Sequence, residues 1–425
     1  MSAAKRHIVV VGGGVIGLST AIALLDHLSS RYDVTVVAED LPDHPSTTSP
    51  SPSPSKPPAS YASAWAGAHH VSDAKTEEEL ARDQVTFDVL KRLHAARPPG
   101  FDEAGEPIVW NHQVEYFEQD RINRAAVEWY PDYRELDPSM LPPGACFGCS
   151  FSTCTIVVPL YLPFLFRLFL ARGGRALHAR VTSLEQALSL AESRTADFIC
   201  NDTTASFAAP SALVVSPGLG ARALADDEAV HPVRGQTLLV RAPWCTLSER
   251  DTVPNADLPR TAAVSPWPGL SRCNEEGFRD VYVIPRGGAD GHFIVGGTRL
   301  PHDWSDEPRE ATTRDILAQA LRYMPALANP HRSLTAGAGE AQPDDVDVVA
   351  VNVGFRPARS GGVRLERGPS LGQAQVVYNY GFGGVGYQAS WGAALQCRDL
   401  IDDALGQARA PRGSTLASLD GRCQL

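Results

Sequence analysis

The apolar positions of the chain change period several times, and each change marks an element. His7-Ile8-Val9-Val10-Val11 is a continuous apolar run of the kind a strand buried on both faces needs. It leads into Gly12-Gly13-Gly14-Val15-Ile16-Gly17. From Val15 to Leu28 the apolar residues Ile16, Leu18, Ala21, Ile22, Leu24, Leu25 and Leu28 fall at helical spacing, and Val34-Thr35-Val36-Val37 reads as a second strand. Together these predict a β-α-β unit of about thirty residues.

Further along, the pattern predicts a helix over 76–93, a strand over 108–118 and a helix over 160–171 that stops at Gly173-Gly174. Ala212 to Val215 reads as a buried strand running into Pro217-Gly218, where the chain returns to its first domain. Strands follow at 237–240, 281–284 and 293–295, with a helix over 313–323, and these are assigned to a largely antiparallel sheet. The chain closes on a strand at 375–379, a glycine-rich turn at 381–386 and a helix over 390–405. Between Pro42 and Ser60, Pro and Ser dominate without an apolar period, which predicts a flexible insertion.

Composition narrows the class. A chain of 425 residues with 43% hydrophobic content accommodates two cored domains. The formal charge of −11 leaves no basic excess for a phosphate backbone, so a small molecule is the expected partner and nucleic acid is not. The most apolar stretch, 156–171, is short for a bilayer and contains Pro159, Pro163 and Arg167, so no membrane partner is expected. Eight cysteines with no secretory leader ahead of the first strand predict reduced thiols and an intracellular protein. Cys146-Phe147-Gly148-Cys149 has metal-like spacing, yet no second pair completes a site, so no metal is expected. The terminal Cys423-Gln424-Leu425 only loosely resembles a peroxisomal address, which leaves peroxisome and cytoplasm both open.

In Gly12-x-Gly14-x-x-Gly17 the first glycine permits the tight turn, the second lets backbone approach a pyrophosphate, and the third lets helix and strand pack closely. The amides of Val15 and Ile16 open the helix toward the phosphates, and Glu39 ends the second strand where a carboxylate accepts from ribose hydroxyls. These residues alone do not separate FAD from NAD.

Six further segments carry a resemblance. They are Trp65-Ala66-Gly67-Ala68, Arg234-Gly235-Gln236-Thr237, Tyr282-Val283-Ile284-Pro285-Arg286, Val295-Gly296-Gly297-Thr298-Arg299, the run from Asn352 to Arg359, and the run from Tyr378 to Gln388. With the opening turn, they make the chain similar to the D-amino-acid oxidase family, including its D-aspartate oxidase branch. The resemblance implies an α/β plus α+β fold, in which a discontinuous Rossmann-like FAD-binding domain (1–72, 160–235 and 350–410) carries a substrate domain (73–159 and 236–349) on a mainly antiparallel sheet. Residues 411–425 are left as a tail.

It also implies that D-amino acids are oxidised to imino acids, and onward to 2-oxo acids and ammonia, while O₂ becomes hydrogen peroxide. The Cα hydrogen leaves as hydride to flavin N5, so no residue is expected to act as acid or base at that step. Arg356 matches the arginine that pairs with the substrate α-carboxylate, Tyr282 a tyrosine that helps hold it, and Gly384 the carbonyl that receives the amino group. Gly383, Gly384, Val385, Gly386, Tyr387 and Gln388 match residues around the flavin ring, and the helix after them points its positive end toward the flavin pyrimidine. Ala68, Val181, Pro217 and Gly218 fall where the family lines the cofactor, although Ser216-Pro217-Gly218 departs from its usual threonine ending.

Arg299 stands where D-aspartate oxidases tend to carry a basic residue, so acidic and neutral D-amino acids are rival substrates, with Arg299 as a solvated strand-end charge in the second case. A glycine or sarcosine type of flavin amine oxidase and a non-catalytic flavin-binding protein are the remaining alternatives. A homodimer is the expected assembly. The stretch 266–279 is a candidate lid, with no second active-site tyrosine assigned.

Overall fold

The structure is a computed structural model, and it describes residues 5–25, 31–42, 56–102, 105–117, 123–193, 195–202, 207–245, 269–273, 279–286, 291–333 and 340–409. Most of the Pro/Ser insertion, most of the candidate lid and the terminal tripeptide lie outside these residues.

In chain order the elements are β1 (Arg6–Val11), α1 (Val15–Leu25), β2 (Tyr32–Ala38), α2 (Glu77–Ala96), β3 (Ile108–Phe117), β4 (Arg134–Glu135), β5 (Phe147–Ile156), α3 (Val158–Ala171), β6 (Arg175–His178), α4 (Leu184–Glu192), β7 (Pro210–Val215) and α5 (Ala221–Leu224). There follow β8 (Val230–Arg241), β9 (Gly269–Cys273), β10 (Arg279–Pro285), β11 (His292–Thr298), β12 (Leu300–Pro301), α6 (Glu310–Tyr323), α7 (Pro330–Ser333), β13 (Val348–Arg359), β14 (Arg364–Arg367), β15 (Gln375–Tyr380) and α8 (Gly386–Ala404).

The first sheet has the order β14-β15-β7-β1-β2-β6, parallel except for β14 at its edge. The runs Ile8–Val11, Val36–Ala38 and Ala212–Val215 in its middle strands are continuously apolar because both faces are covered. Ile8, Val10, Val34, Val36 and Val214 face the cluster that holds Leu18 and Ile22 of α1, while Val9, Val11, Val37, Leu213 and Val215 face Ala187 and Ala191 of α4.

The second sheet runs β12-β8-β11-β10-β9-β3-β5-β4, with β13 also paired to β8, and is antiparallel except between β3 and β9. Helix α6 covers it, with Ile316, Leu317, Ala320 and Leu321 packed on Leu238, Val240, Val283 and Val295.

Two boundaries differ from the sequence reading. Strands β8 and β13 both lie in the second sheet, so the expected breaks at 235 and 350 pass through them. Their near ends carry Val230, Val353 and Phe355 into the core of the first sheet, so the two strands serve both cores. Helix α2, expected in the substrate domain, packs along α8 and Trp391. Of the insertion, residues 56–60 lie against the rest of the chain at two points: Phe355 N donates to the Ala59 carbonyl at 2.9 Å, and the Lys56 ammonium sits 5.0 Å from the Trp65 ring centre.

Candidate active site

A cavity of about 680 Å³ lies between the sheets, within the size range of a site for a large organic ligand. Every residue expected at the cofactor or substrate lines it, except Gly17. Gly17 acts one step back: a Cβ there would fall 2.9 Å from the carbonyl carbon of Gly12, so the bare backbone lets α1 start against β1. Gly12 has φ +120°, and a Cβ on it would fall 2.8 Å from the Ser216 carbonyl carbon of the neighbouring crossing.

The nucleotide end is built by β1, α1 and β2. At the start of α1 the Val15 amide donates to Ser63 Oγ at 3.1 Å, and Tyr61 Oη donates to the Gly13 carbonyl at 3.0 Å. Glu39 lines the cavity near the surface, 3.5 Å from Arg180, with both side chains more than half exposed. Val181 follows on the same wall.

The opposite end is built by α8. This helix starts at Gly386, four residues earlier than the pattern suggested, because that glycine, read as part of a breaker, opens its first turn. Val385 at its cap offers no side-chain hydrogen bond, so the first amides of the helix open onto the cavity. Gly383 has φ +55°, a conformation that glycine adopts without strain. Tyr387 Oη donates to the Ser63 carbonyl at 2.8 Å, so the short segment Ala62–Trp65 ties the two helix starts together.

The residues expected to meet substrate converge beside this turn. Arg356 on β13 donates from Nη1 to the Thr298 carbonyl at 2.8 Å, and its Cδ would lie 3.4 Å from a Cβ on Gly384. The Tyr282 hydroxyl lies over the Gly296-Gly297 backbone, 2.6 Å from where a Cβ on Gly297 would be. Arg299 follows that glycine pair and lines the same cavity. The motif Val295 to Arg299 thus holds Tyr282 down and then delivers a guanidinium.

Four contributors carried no assignment from the sequence. Ser63 and Tyr61 bridge the nucleotide turn and have no periodic signal. His69 lines the cavity 6.4 Å from the Tyr282 ring, and burial, His70, Arg286 and Arg299 lower its pKa to about 3, which keeps it neutral. Glu115 lines the cavity from β3, where Asn111, Gln113 and Glu115 are all buried and Gln113 donates to the Glu115 carboxylate. That alternation of buried polar residues along one strand was the available clue. Arg286, in a quoted motif, is structural: it donates to the Ile156 and Ala66 carbonyls at 2.7 and 3.1 Å, and burial lowers its pKa to about 10.

Among the described cysteines, Cys149, Cys154, Cys200, Cys245 and Cys397 are free thiols, and burial raises the pKa of Cys149 and Cys154. The residues fit FAD. The nucleotide end supplies backbone amides and a carboxylate, the glycine turn is too close-packed to admit side chains, and the far end has an uncapped helix start for the ring.

The family described as FAD dependent oxidoreductase (DAO) matches residues 7–400. The chain is 34% identical to a D-aspartate oxidase of Cryptococcus neoformans var. grubii serotype A, over 93% of this chain and 97% of that protein. It is 28% identical to a D-amino-acid oxidase of Schizosaccharomyces pombe, over 92% and 94%. A glycine oxidase from Geobacillus kaustophilus shares the fold, with a TM-score of 0.60 at 16% identity over 94% of this chain and 95% of that one.

Proposed function

The chain belongs to the DAO family of FAD dependent oxidoreductases, and from that premise we propose that it oxidatively deaminates D-amino acids, acidic ones in preference. The observation that carries the preference is that two guanidinium groups, Arg356 and Arg299, line one cavity beside Tyr282 and Gly384. A dicarboxylic substrate needs two cationic partners, whereas a neutral one needs a single partner.

Arg356 pairs with the α-carboxylate through parallel donors, and the Tyr282 hydroxyl adds a third. The Gly384 carbonyl accepts from the amino group. Arg299 holds the side-chain carboxylate, and neutral His69 adds polarity without a further charge. Fixing these groups leaves one orientation of Cα toward the cofactor, which selects the D-enantiomer.

Gly12, Gly14, Val15 and Ile16 hold the pyrophosphate and Glu39 the ribose. Ala68, Val181 and Gly218 line the length of the cofactor, and Gly383 through Gln388 surround its ring. FAD when bound accepts the substrate's Cα hydrogen as hydride. The imino acid hydrolyses to a 2-oxo acid and ammonia, and O₂ is the oxidant that leaves as hydrogen peroxide. We read the enzyme as a homodimer of the peroxisome or cytoplasm; among the described residues no helix is long and apolar enough to cross a membrane.

Glu115 on the same cavity favours a second reading, a broader D-amino-acid oxidase, because a carboxylate opposes an anionic side chain. A peroxide assay on the purified yellow protein separates the two. With D-aspartate, D-glutamate, D-alanine and their L-isomers, the expected order puts the acidic D-substrates first and the L-isomers at background. Arg299→Ala is expected to lower kcat/KM for D-aspartate by about 10- to 100-fold, the worth of one charged hydrogen bond, and to leave D-alanine unchanged. An equal loss for both substrates overturns the acidic reading, and absence of peroxide with every D-isomer overturns the whole.

A further inference from the structure

Behind the start of α8 lies a second cavity of about 150 Å³, lined by Asp73, Lys75, Glu79, Arg82, Asp83 and Gln388. Gln388 lines both cavities, as do Asp73, Phe382 and Val385, and these residues form the partition between them. Its Nε2 donates to Asp73 Oδ1 and to Asp83 Oδ2, each at 3.2 Å. Two carboxylates therefore share one amide group, which leaves only the amide oxygen of Gln388 for the cofactor side.

Asp83 is fixed from every direction. Ser72 Oγ donates to its Oδ2 at 2.7 Å. His70 Nε2 donates to its backbone carbonyl at 3.1 Å, and His70 Nδ1 takes the Tyr130 hydroxyl proton at 2.6 Å, since the Tyr130 oxygen already accepts from the Ser72 amide. The residue is 3% exposed. Among the described residues, no Lys or Arg is paired with Asp83: the neighbouring Arg82 guanidinium lies 3.6 Å from Glu78 instead. Asp73 and Lys75 are exposed, so the cavity reaches solvent.

We propose that Asp83 is a positioning residue for the flavin, orienting the Gln388 carboxamide and exchanging one proton with solvent as the charge on the ring changes. Two electrons reach the flavin from the amino acid in the family's own reaction. The proton that Asp83 takes up comes from water in the second cavity, and it returns there when O₂ removes the electrons. Burial and the Asp73 charge push the Asp83 carboxyl up to about 7, against the hydrogen bonds from Ser72 and Gln388 and the Arg82 charge, which pull it down. His70 is held neutral by burial, so it does not compete for the proton.

Added negative charge on the ring raises Asp83 further. Between its two values, from about pH 7 upward, one additional proton accompanies reduction. The proposal rests on FAD binding and not on the acidic preference, so failure of either leaves the other standing. The test is the midpoint potential of the bound flavin, followed by its absorbance in the purified holoenzyme from pH 5.5 to 9. The wild type is expected to fall more steeply in a window just above neutrality. Asp83→Asn is expected to abolish that steeper window, and Asp73→Asn, at an exposed position that spares folding, to move it to lower pH. A window unchanged in both variants, or absent from the wild type, overturns the proposal; if Asp83→Asn does not fold, the Asp73→Asn shift decides.

Discussion

The guanidinium of Arg356 rests on the bare backbone of Gly235: a Cβ built there would lie 2.7 Å from Cζ and 2.9 Å from Nη2. The two residues belong to paired strands, with Gly235 of β8 opposite Gly354 of β13. Gly235 therefore sets the height of Arg356, the proposed partner of the substrate carboxylate.

Gly235→Ala is expected to displace that arginine while leaving the nucleotide end intact. A misplacement of about 1 Å costs on the order of 100-fold in rate, so kcat/KM for the best D-substrate should fall by about that factor with flavin content unchanged. Steady-state kinetics alongside the visible flavin absorbance check this, and a variant with unaltered kcat/KM would show that Arg356 is positioned by other contacts.

How much of this was legible depended on whether a residue's role leaves a period. The apolar strands β1, β2 and β7 and the helix α1 were readable because full burial on both faces imposes continuous or helical patterns. The start of α8 was displaced to Ser390 because glycine signals a break, whereas Gly386 here opens a helix on the cavity wall. Strands β8 and β13 defeated domain boundaries because each serves two cores, which no local window reveals. Arg356, Tyr282 and Gly384 were assigned only by resemblance, since one arginine in a strand has no period. Ser63 acts through Val15, 48 positions away, and Asp83 through Gln388, 305 positions away, and a local window records neither pairing.

The buried histidines predict how stability responds to acid. His7, with its ring nitrogens 2.8 Å from the Ala208 carbonyl and 2.8 Å from Thr35 Oγ1, and His70 are both fully buried, and burial lowers each pKa to about 4. An unfolded imidazole takes its proton near pH 6.5, so between about 4 and 6.5 the unfolded chain binds more protons and stability rises with pH. Asp83, Asp40 and Glu106 work the other way, since burial raises their folded values, but the lowered histidines His7, His69, His70 and His94 outnumber them. The urea midpoint is expected to fall as pH drops from 6.5 to 4.5, and His7→Gln, remote from the cavity, to flatten that fall. A midpoint independent of pH in this range, or an unaltered slope in His7→Gln, would count against it.

Asp227 anchors the turn before α8 from below. Its Oδ2 accepts from Arg359 Nε at 2.8 Å, Tyr380 Oη at 2.8 Å and Arg364 Nη1 at 3.4 Å, and its side chain is 6% exposed. Burial alone would raise its pKa, but the hydrogen bonds from Arg359 and Tyr380 and the Arg359 charge outweigh it and hold the carboxyl below its ordinary value. Arg359 also packs against Gly381, where an added Cβ would meet its Cβ at 2.9 Å, so the cluster reaches the turn that precedes α8. Removing the carboxylate leaves two guanidinium groups facing each other in a half-buried space, a loss of about 3 to 5 kcal/mol for a buried pair. Asp227→Ala is accordingly expected to lower the unfolding free energy by an amount near that range and to weaken FAD binding, with Asp227→Asn intermediate because it keeps an acceptor. Denaturant unfolding and fluorescence titration of the apoprotein with FAD measure the two effects. A stability change within about 0.5 kcal/mol, typical of surface sites, would mean that solvent, not the carboxylate, neutralises the two arginines.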